Sequence, residues 1–538
     1  MKFTRLLFLS LLFLFTKTAF AQTTYFGTPG DYLSYLSLLG PGDTLLLESG
    51  TYTNRLNLGD IVGDENAPVV IMGPEGTHDA VFTGAACCNT VSIERCAWLE
   101  IRNLTLDGLD IPYIDALKAE GTSGNWAHHI TVENLLVINH GGAALTVGVS
   151  TKCPAWDWVI RRNTFIEPGL GMYLGNSDGT APFINGLIEY NLIVNPIRYG
   201  LQIKHQNEGL RTIPGMTLNG KTVLRYNVIS KAENGDANNP RPNLLVGNFP
   251  ATGDGSNDYY EIYGNFLWQN PTEGLFQGTG NVTFYNNILV NHQPGGWGVF
   301  SFPHNGFPPR NMFFFNNTIL SASDGIEISN PNPDYEQLVA GNAIFAANPL
   351  VTGNVATVDN VTGELVNAAN YLVNPASSIT GLDLTPLPGT LEGSLLDFSP
   401  FSSFENYGKD FDGNLKGWDF RGAYAKTGAP DWPLALEMRP VVEDMTTGVF
   451  SRPEPVPVQI SVFPNPARER VFVRFEEPLP GRTEVRLLGL SGNLLYSSFF
   501  EKGVSEAEIP LPQTVSGAYW LVVFFENGVI AKQLLAGG

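Results

Sequence analysis

Apolar residues recur along the chain in short runs, each broken by an asparagine. They read "EIRNLTLDG" at Asn103, "TVENLLVINH" at Asn134, "VIRRNTFIE" at Asn163, "LIEYNLIVN" at Asn191, "VLRYNVIS" at Asn227, "EIYGNFLWQN" at Asn265, "FYNNILVNH" at Asn287, "FFNNTILS" at Asn317 and "AGNAIFAANP" at Asn342. Each run predicts a strand, a bend at the Asn and a second strand. The step from one Asn to the next varies between 22 and 38 residues. A fixed unit with an elastic period predicts an all-β solenoid, a right-handed parallel β-helix, because stacked coils tolerate loops of uneven length. Asn suits the bend, since it accepts left-handed backbone angles and its side chain can hydrogen-bond from coil to coil. The widest steps flank Asn227 and mark long insertions.

A solenoid needs covered ends. At the front the pattern predicts a short helix over residues 32–39, a strand over 44–48 and a turn at Ser49 and Gly50. At the back, "DFDGNLKGWDFRGAYA" (residues 410–425) reads as the closing coil, so the β-helix is expected over 22–425. Residues 426–458, with "GAPDWP" and "SRPEPVPV", read as a Pro-rich linker. Residues 459–538 alternate apolar and polar positions between Gly turns, as a small antiparallel β-sandwich does. Residues 1–21 have a basic start, an apolar run and Ala19-Phe20-Ala21, the pattern of a signal peptide cleaved before Gln22. That apolar run is shorter than a bilayer-spanning helix, and no later stretch replaces it. The mature protein is expected to be secreted or attached to the cell surface, and monomeric.

The chain carries 31 basic and 52 acidic residues, a formal net charge of −21. Loss of the leader removes Lys2, Arg5 and Lys17 but no acid, making the mature chain more negative still. This argues against a nucleic-acid partner. An anionic polysaccharide stays open, because a local cluster of Lys and Arg binds carboxylates even in an acidic molecule. Four cysteines, Cys87, Cys88, Cys96 and Cys153, allow one or two disulfides after export, with the pairing open, and match no zinc spacing.

Candidate chemistry concentrates in "GLQIKHQNEGLR", where Lys204, His205, Glu208 and Arg211 follow a short strand. Aromatic residues that sugars stack on, among them Tyr199, Trp268 and Trp297, lie in or beside the long connections. The insert spanning 230–264 contains Arg241 and is rich in Asn, Asp, Gly and Pro, as functional loops often are.

Two resemblances add to this reading. "VFPNPARERVFV", "LLGLSGNLLY", "SGAYWLVVFFENG" and "AKQLL" resemble, in order, the C-terminal sorting domain of the type IX (Por) secretion system. That implies export across the outer membrane by this machinery and removal of the tail. At the other end, "GPGDTLLLESGTYTNRLNLGDIVGDENAPVVIMGPEG" followed by "VFTG" is similar to the opening coils of β-helical polysaccharide lyases of the alginate lyase and chondroitinase B type. In those lyases a Lys on one coil is the base and an Arg on the next binds the uronate, with calcium held against the substrate carboxylate by acidic and Asn side chains.

Carried over residue by residue, the resemblance implies Lys204 as base, with Arg211 or Arg225 on the carboxylate and His205 assisting. Arg241, Tyr199, Trp268, Trp297 and Gln277 are expected to bind substrate, and Glu189 and Asp236 to hold Ca2+. The sequence departs from the family one strand after Lys204, where the lyases have an Arg-His pair and this chain has Gly247 and Asn248; Arg211, Arg225 or Arg241 is then the expected substitute, from a loop. The blocks "QIKHQ", "RPNLLVG" and "NPTEGLFQGTGN" also resemble a group of exported bacterial β-helix proteins, which supports a shared site.

The expected function is therefore cleavage of uronate-containing polysaccharide by β-elimination. A glycoside hydrolase would instead need two carboxyl groups at a fixed separation. Glu189, Asp236, Asp254, Asp258, Glu261 and Glu273 are its candidates, although the signatures of β-helical pectin hydrolases are absent. A non-catalytic glycan-binding surface protein would use the aromatic residues and release no product.

Overall fold

The computed structural model describes residues 22–442, apart from 305 and 377, and 460–536 apart from 465–466, 476–477, 480–482, 490–493, 512–516 and 526–527. The expected signal peptide and the later part of the expected linker lie outside the described residues.

Three long parallel sheets run through residues 24–363. Successive strands visit the three in turn, as in Lys221–Arg225, Val228–Ser230 and Leu244–Val246. The first sheet has 15 strands, the second 12 and the third 11, each pairing in parallel register with the coil before and after. This is a parallel β-helix, of the right-handed sense that parallel connections favour. Its interior is a column of aliphatic and aromatic side chains, among them Ile160, Ile188, Leu224, Ile262, Phe284 and Phe314, all buried. Each such side chain contributes roughly 1.5–3 kcal/mol by leaving water, and the column of them holds the coils together.

The Asn repeat has a concrete basis. From Asn163 through Asn191, Asn227, Asn265, Asn287, Asn317 and Asn342 to Asn360, each Nδ2 donates to the Oδ1 of the next, at 2.9 to 3.1 Å. Each Oδ1 also accepts the backbone N–H of the Asn one coil earlier, as Asn265 does from Asn227 at 3.0 Å. The left-handed angle, however, belongs to the residue before the ladder Asn: Arg162, Tyr190, Tyr226, Gly264, Asn286, Asn316, Gly341 and Asp359 all have positive φ. Of the repeat asparagines read from the sequence, Asn103 and Asn134, at the two early corners, take it themselves. One residue bends the chain, and its neighbour satisfies the buried polar groups that the bend exposes.

The ends differ from expectation in one respect. The front helix covers Leu33–Leu36 and the following strand Thr44–Leu47, close to the predicted positions. At the back, the last coil ends at Val361–Gly363, and residues 410–425 are not a coil. They belong to a strap that turns back and covers the outside of the corner between the first and second sheets. Phe401 and Trp418 lie on the row Tyr263, Tyr285 and Phe315, and Phe411, Tyr424, Trp432 and Leu434 on Phe266, Trp268 and Ile288. Arg439 is buried against the Phe411 ring at 3.8 Å and donates to the Gly264 carbonyl. Residues 426–442, read as linker, thus pack as part of the solenoid unit: an aromatic pattern is the same whether it fills a coil or covers one.

Cys87 and Cys88 form a disulfide between neighbours, while Cys96 and Cys153 are free and buried. The C-terminal unit, described on its own, has a three-stranded and a four-stranded antiparallel sheet. Val471 and Val473 from one and Val485, Leu521 and Val523 from the other share a core, as a β-sandwich requires.

Candidate active site

The outward face of the third sheet carries one residue per coil in register: Lys118, Ser150, Tyr173, Gln202, Leu245, Gln277 and Phe300. Two positions further on, where the chain leaves the sheet, the same coils present Lys152, Gly175, Lys204, Gly247, Thr279 and Phe302. The strand Leu201–Ile203 therefore ends by delivering Lys204 onto this face, with glycine on both neighbouring coils. Gly175 has a φ of +92°, and a Cβ there would stand 3.1 Å from Lys204 Cβ. The two glycines leave the Lys204 side chain room to meet a ligand.

A cleft of about 340 Å³ opens over Lys204. His205, Gln202, Leu245 and Gln277 form its floor, Tyr199 and Arg241 one wall, and Phe302 and His304 the far end. Arg241 arrives from the long insert. Its carbonyl is gripped by Lys231 Nζ at 2.7 Å and Asn270 Nδ2 at 2.9 Å, and its guanidinium lies 5.5 Å from the Tyr199 ring. Neither Lys204 nor Arg241 forms an ion pair among the described residues, a notable arrangement in a chain of net charge −21. Burial, and then the charge of Arg241, lowers the pKa of Lys204 from its ordinary value. His205 and His304 are also lowered, first by burial and then by Lys204, which favours their neutral forms. Glu273 is the one carboxylate among the described residues lining the cleft; burial raises its pKa, and its Oε1 accepts from Gln277 Nε2 at 2.5 Å. Gln202 Oε1 and Thr279 Oγ1, both buried beneath the cleft, have no hydrogen-bond partner among the described residues.

Five of the residues expected from sequence meet here: Lys204, His205, Arg241, Tyr199 and Gln277. His304 joins them. The others have different work. Arg211 is buried in an ion pair with Asp258 and also donates to Gln206 at 2.9 Å and the Thr217 carbonyl at 2.7 Å, holding the loop after Lys204 closed. Arg225 lies on the first sheet, paired with Glu189 at 2.8 Å and Tyr263 at 2.8 Å. Trp268 is buried under the strap. Trp297 packs its ring on the Gly274 backbone and does not line the cleft.

The calcium expectation does not fit these residues. Glu189 is engaged by Arg225, and Asp236 by Arg198 at 3.3 Å. No group of three or more His, Cys, Asp or Glu among the described residues is arranged to hold a metal ion. Sequence reasoning also missed Lys152 and Tyr173, which sit on coils just before Lys204. Their signal was the polar outward position on each third-sheet strand.

Comparison with known proteins adds the following. Residues 461–536 match the family described as the secretion system C-terminal sorting domain, so the tail marks the chain for secretion. No curated protein matches the chain. Among solved structures, an alginate lyase from Paenibacillus sp. str. FPU-7 is similar at 15% identity and a TM-score of 0.42, over 63% of this chain and 98% of that one. A mannuronic acid specific polysaccharide family 6 lyase from human gut microbiota is similar at 15% identity and 0.40, over 64% and 87%. The tailspike protein of an Acinetobacter phage is similar at 9% and 0.26, over 94% and 75%.

Proposed function

We propose that this protein cleaves uronate-containing polysaccharide by β-elimination outside the cell, with Lys204 as the base. The observation that carries this reading is the convergence of Lys204 and Arg241, two cations with no ion-pair partner among the described residues, on a cleft lined by one described carboxylate. Removing the proton α to a uronate carboxylate needs a neutral amine close by and a fixed cation for the charge that develops on the carboxylate. Lys204, its pKa lowered by burial and by Arg241, is suited to the first role, and Arg241 to the second. The amine takes the proton, the C–H electrons form the C4=C5 double bond, and the C4–O bond breaks. The leaving oxygen then takes the proton from the Lys204 ammonium, which restores the amine. His205 and His304, favoured as neutral rings, serve as hydrogen-bonding partners for sugar hydroxyls.

A hydrolase would need a second carboxyl group across the cleft from Glu273. None of the other candidate acids lines the cleft: Glu189 pairs with Arg225, Asp236 with Arg198 and Asp258 with Arg211, Glu261 accepts from Tyr285 at 2.7 Å, and Asp254 is exposed away from it. Mass spectrometry of products from a panel of polyuronates tests the reading. Fragments lighter by one water than hydrolysis products support it, and saturated fragments refute it.

A further inference from the structure

Beyond the cleft, towards the N-terminal coils, a second hollow of about 390 Å³ is lined by Trp126, Asn125, Lys152, Asn176 and Thr180. Tyr173 stands between Lys152 of this hollow and Lys204 of the cleft. Lys152 Nζ stands 3.4 Å from the centre of the Tyr173 ring, and Lys204 Nζ stands 5.9 Å from the same ring. Ser150, Tyr173 and Gln202 are register partners on three successive coils, so Lys152 and Lys204, each two residues on, lie two strand spacings apart, about 10 Å. Lys152 forms no ion pair among the described residues, and its nearest acceptor is the Gly175 carbonyl at 3.4 Å. Its ammonium is half-buried beside a ring face and one long hydrogen bond, and the Asp115 carboxylate that acts on it is itself held by the Val147 N–H at 2.9 Å and Ser150 Oγ at 3.2 Å, which leaves Lys152 without a direct ion pair. Trp126, half-buried, forms another part of the wall, within a stack of His128 and Trp156.

We infer that Lys152, Tyr173 and Trp126 form an extension of the cleft that binds a second acidic sugar of the same chain, with Lys152 on its carboxylate and Trp126 against a sugar ring. The ligand class is thus an extended polyanionic glycan, lying along the solenoid axis across the third-sheet edge, and a single uronate is too short to use the whole site. This inference rests on the reading of the Lys204 cleft as a polyuronate site. Burial lowers the Lys152 pKa to about 7, against Asp115, which raises it, and with Lys118 and Lys204, which lower it further.

The test uses the mature full chain and saturated oligouronates of increasing length, from disaccharide to octasaccharide, with calorimetric binding and cleavage rates measured in parallel. The wild type is expected to gain about tenfold to a hundredfold in affinity or kcat/KM once the oligomer reaches Lys152, the range of one charge-assisted hydrogen bond. Lys152→Gln removes that gain, with the loss growing with length, and Lys152→Arg restores it. A Lys152→Gln protein with the wild-type length dependence overturns the inference while leaving Lys204 chemistry intact. Length-dependent binding lost in Lys152→Gln, with no unsaturated product from the wild type, supports the extension and refutes the lyase reading. Absence of any oligouronate binding overturns both.

Discussion

A side chain at Gly247 would collide with the backbone of His205: a Cβ there would stand 2.4 Å from the His205 nitrogen and 2.8 Å from its Cα. Gly247 occupies the coil after Lys204, at the position where the resemblance to β-helical lyases puts an arginine. The space is closed to any side chain, and the cation comes instead from the insert, as Arg241. Gly247→Ala is expected to displace Lys204 and His205 and cut kcat/KM at least tenfold while the protein still folds. Gly247→Arg is expected to be inactive. Steady-state rates with melting curves check both.

The pH dependence follows from the direction of the Lys204 shift. The base must be unprotonated, so kcat/KM rises with pH and levels off above the Lys204 pKa. Burial and Arg241 place that pKa below the ordinary lysine value. Arg241→Gln removes the charge contribution, so the rising limb moves to higher pH as the plateau falls. A pH–rate profile of the two proteins reads the shift, and an unmoved limb in Arg241→Gln contradicts it.

Arg211 is a structural residue, and its stability signature differs from a catalytic one. Breaking a buried pair costs about 3–5 kcal/mol because the partner is left charged and unpaired. Arg211→Met is expected to lose stability of that order, and Asp258→Asn in the same chain to recover much of it, since Asn keeps an acceptor for the Gly220 N–H. Denaturant titration of the single and double variants measures this.

The Asn ladder makes a similar prediction deep in the solenoid. Asn265 Oδ1 accepts both Asn227 N and Asn227 Nδ2, and Asn265 Nδ2 donates to the Leu224 carbonyl at 2.9 Å. Asn265→Leu orphans these groups, at about 1–3 kcal/mol each. A melting temperature unchanged in Asn265→Leu would rule out the ladder as a stabilising device.

Lys416, fully buried in the strap, donates to the Gly422 carbonyl, and burial lowers its pKa to about 7 from the ordinary 10.5. Between these values the unfolded chain binds more protons than the folded one, so stability rises with pH, with a slope approaching 1.4 kcal/mol per pH unit (~, for one proton). Below about pH 7 the cost of burying the charge is fully present. Lys416→Met is expected to flatten this contribution, measured by denaturant unfolding at several pH values.

The solenoid was legible in sequence because each ladder Asn does the same work on its coil, and that work leaves the same letters. The strap was misread because Phe411, Trp418 and Tyr424 bury their rings against the outside of the coils with the same apolar pattern that fills an interior. At the site, Lys204 and His205 follow a recognisable strand, whereas Arg225 and Glu189 looked available for chemistry. They are register partners on adjacent coils of the first sheet, a pairing that an elastic period hides. Uneven loops hid Lys152 and Tyr173 in the same way, since only the sheet register shows that they neighbour Lys204.

Abstraction by Lys204 of the proton that starts β-elimination is tested by following the ultraviolet absorbance of the unsaturated uronate over time, for the mature wild type and for Lys204→Ala with an unchanged melting temperature. A general base contributes about 10²- to 10⁴-fold, so the account predicts a steady rise for the wild type and a rate lower by that factor in the variant. Equal rates in the two proteins, or new reducing ends with no rise in absorbance, would contradict it.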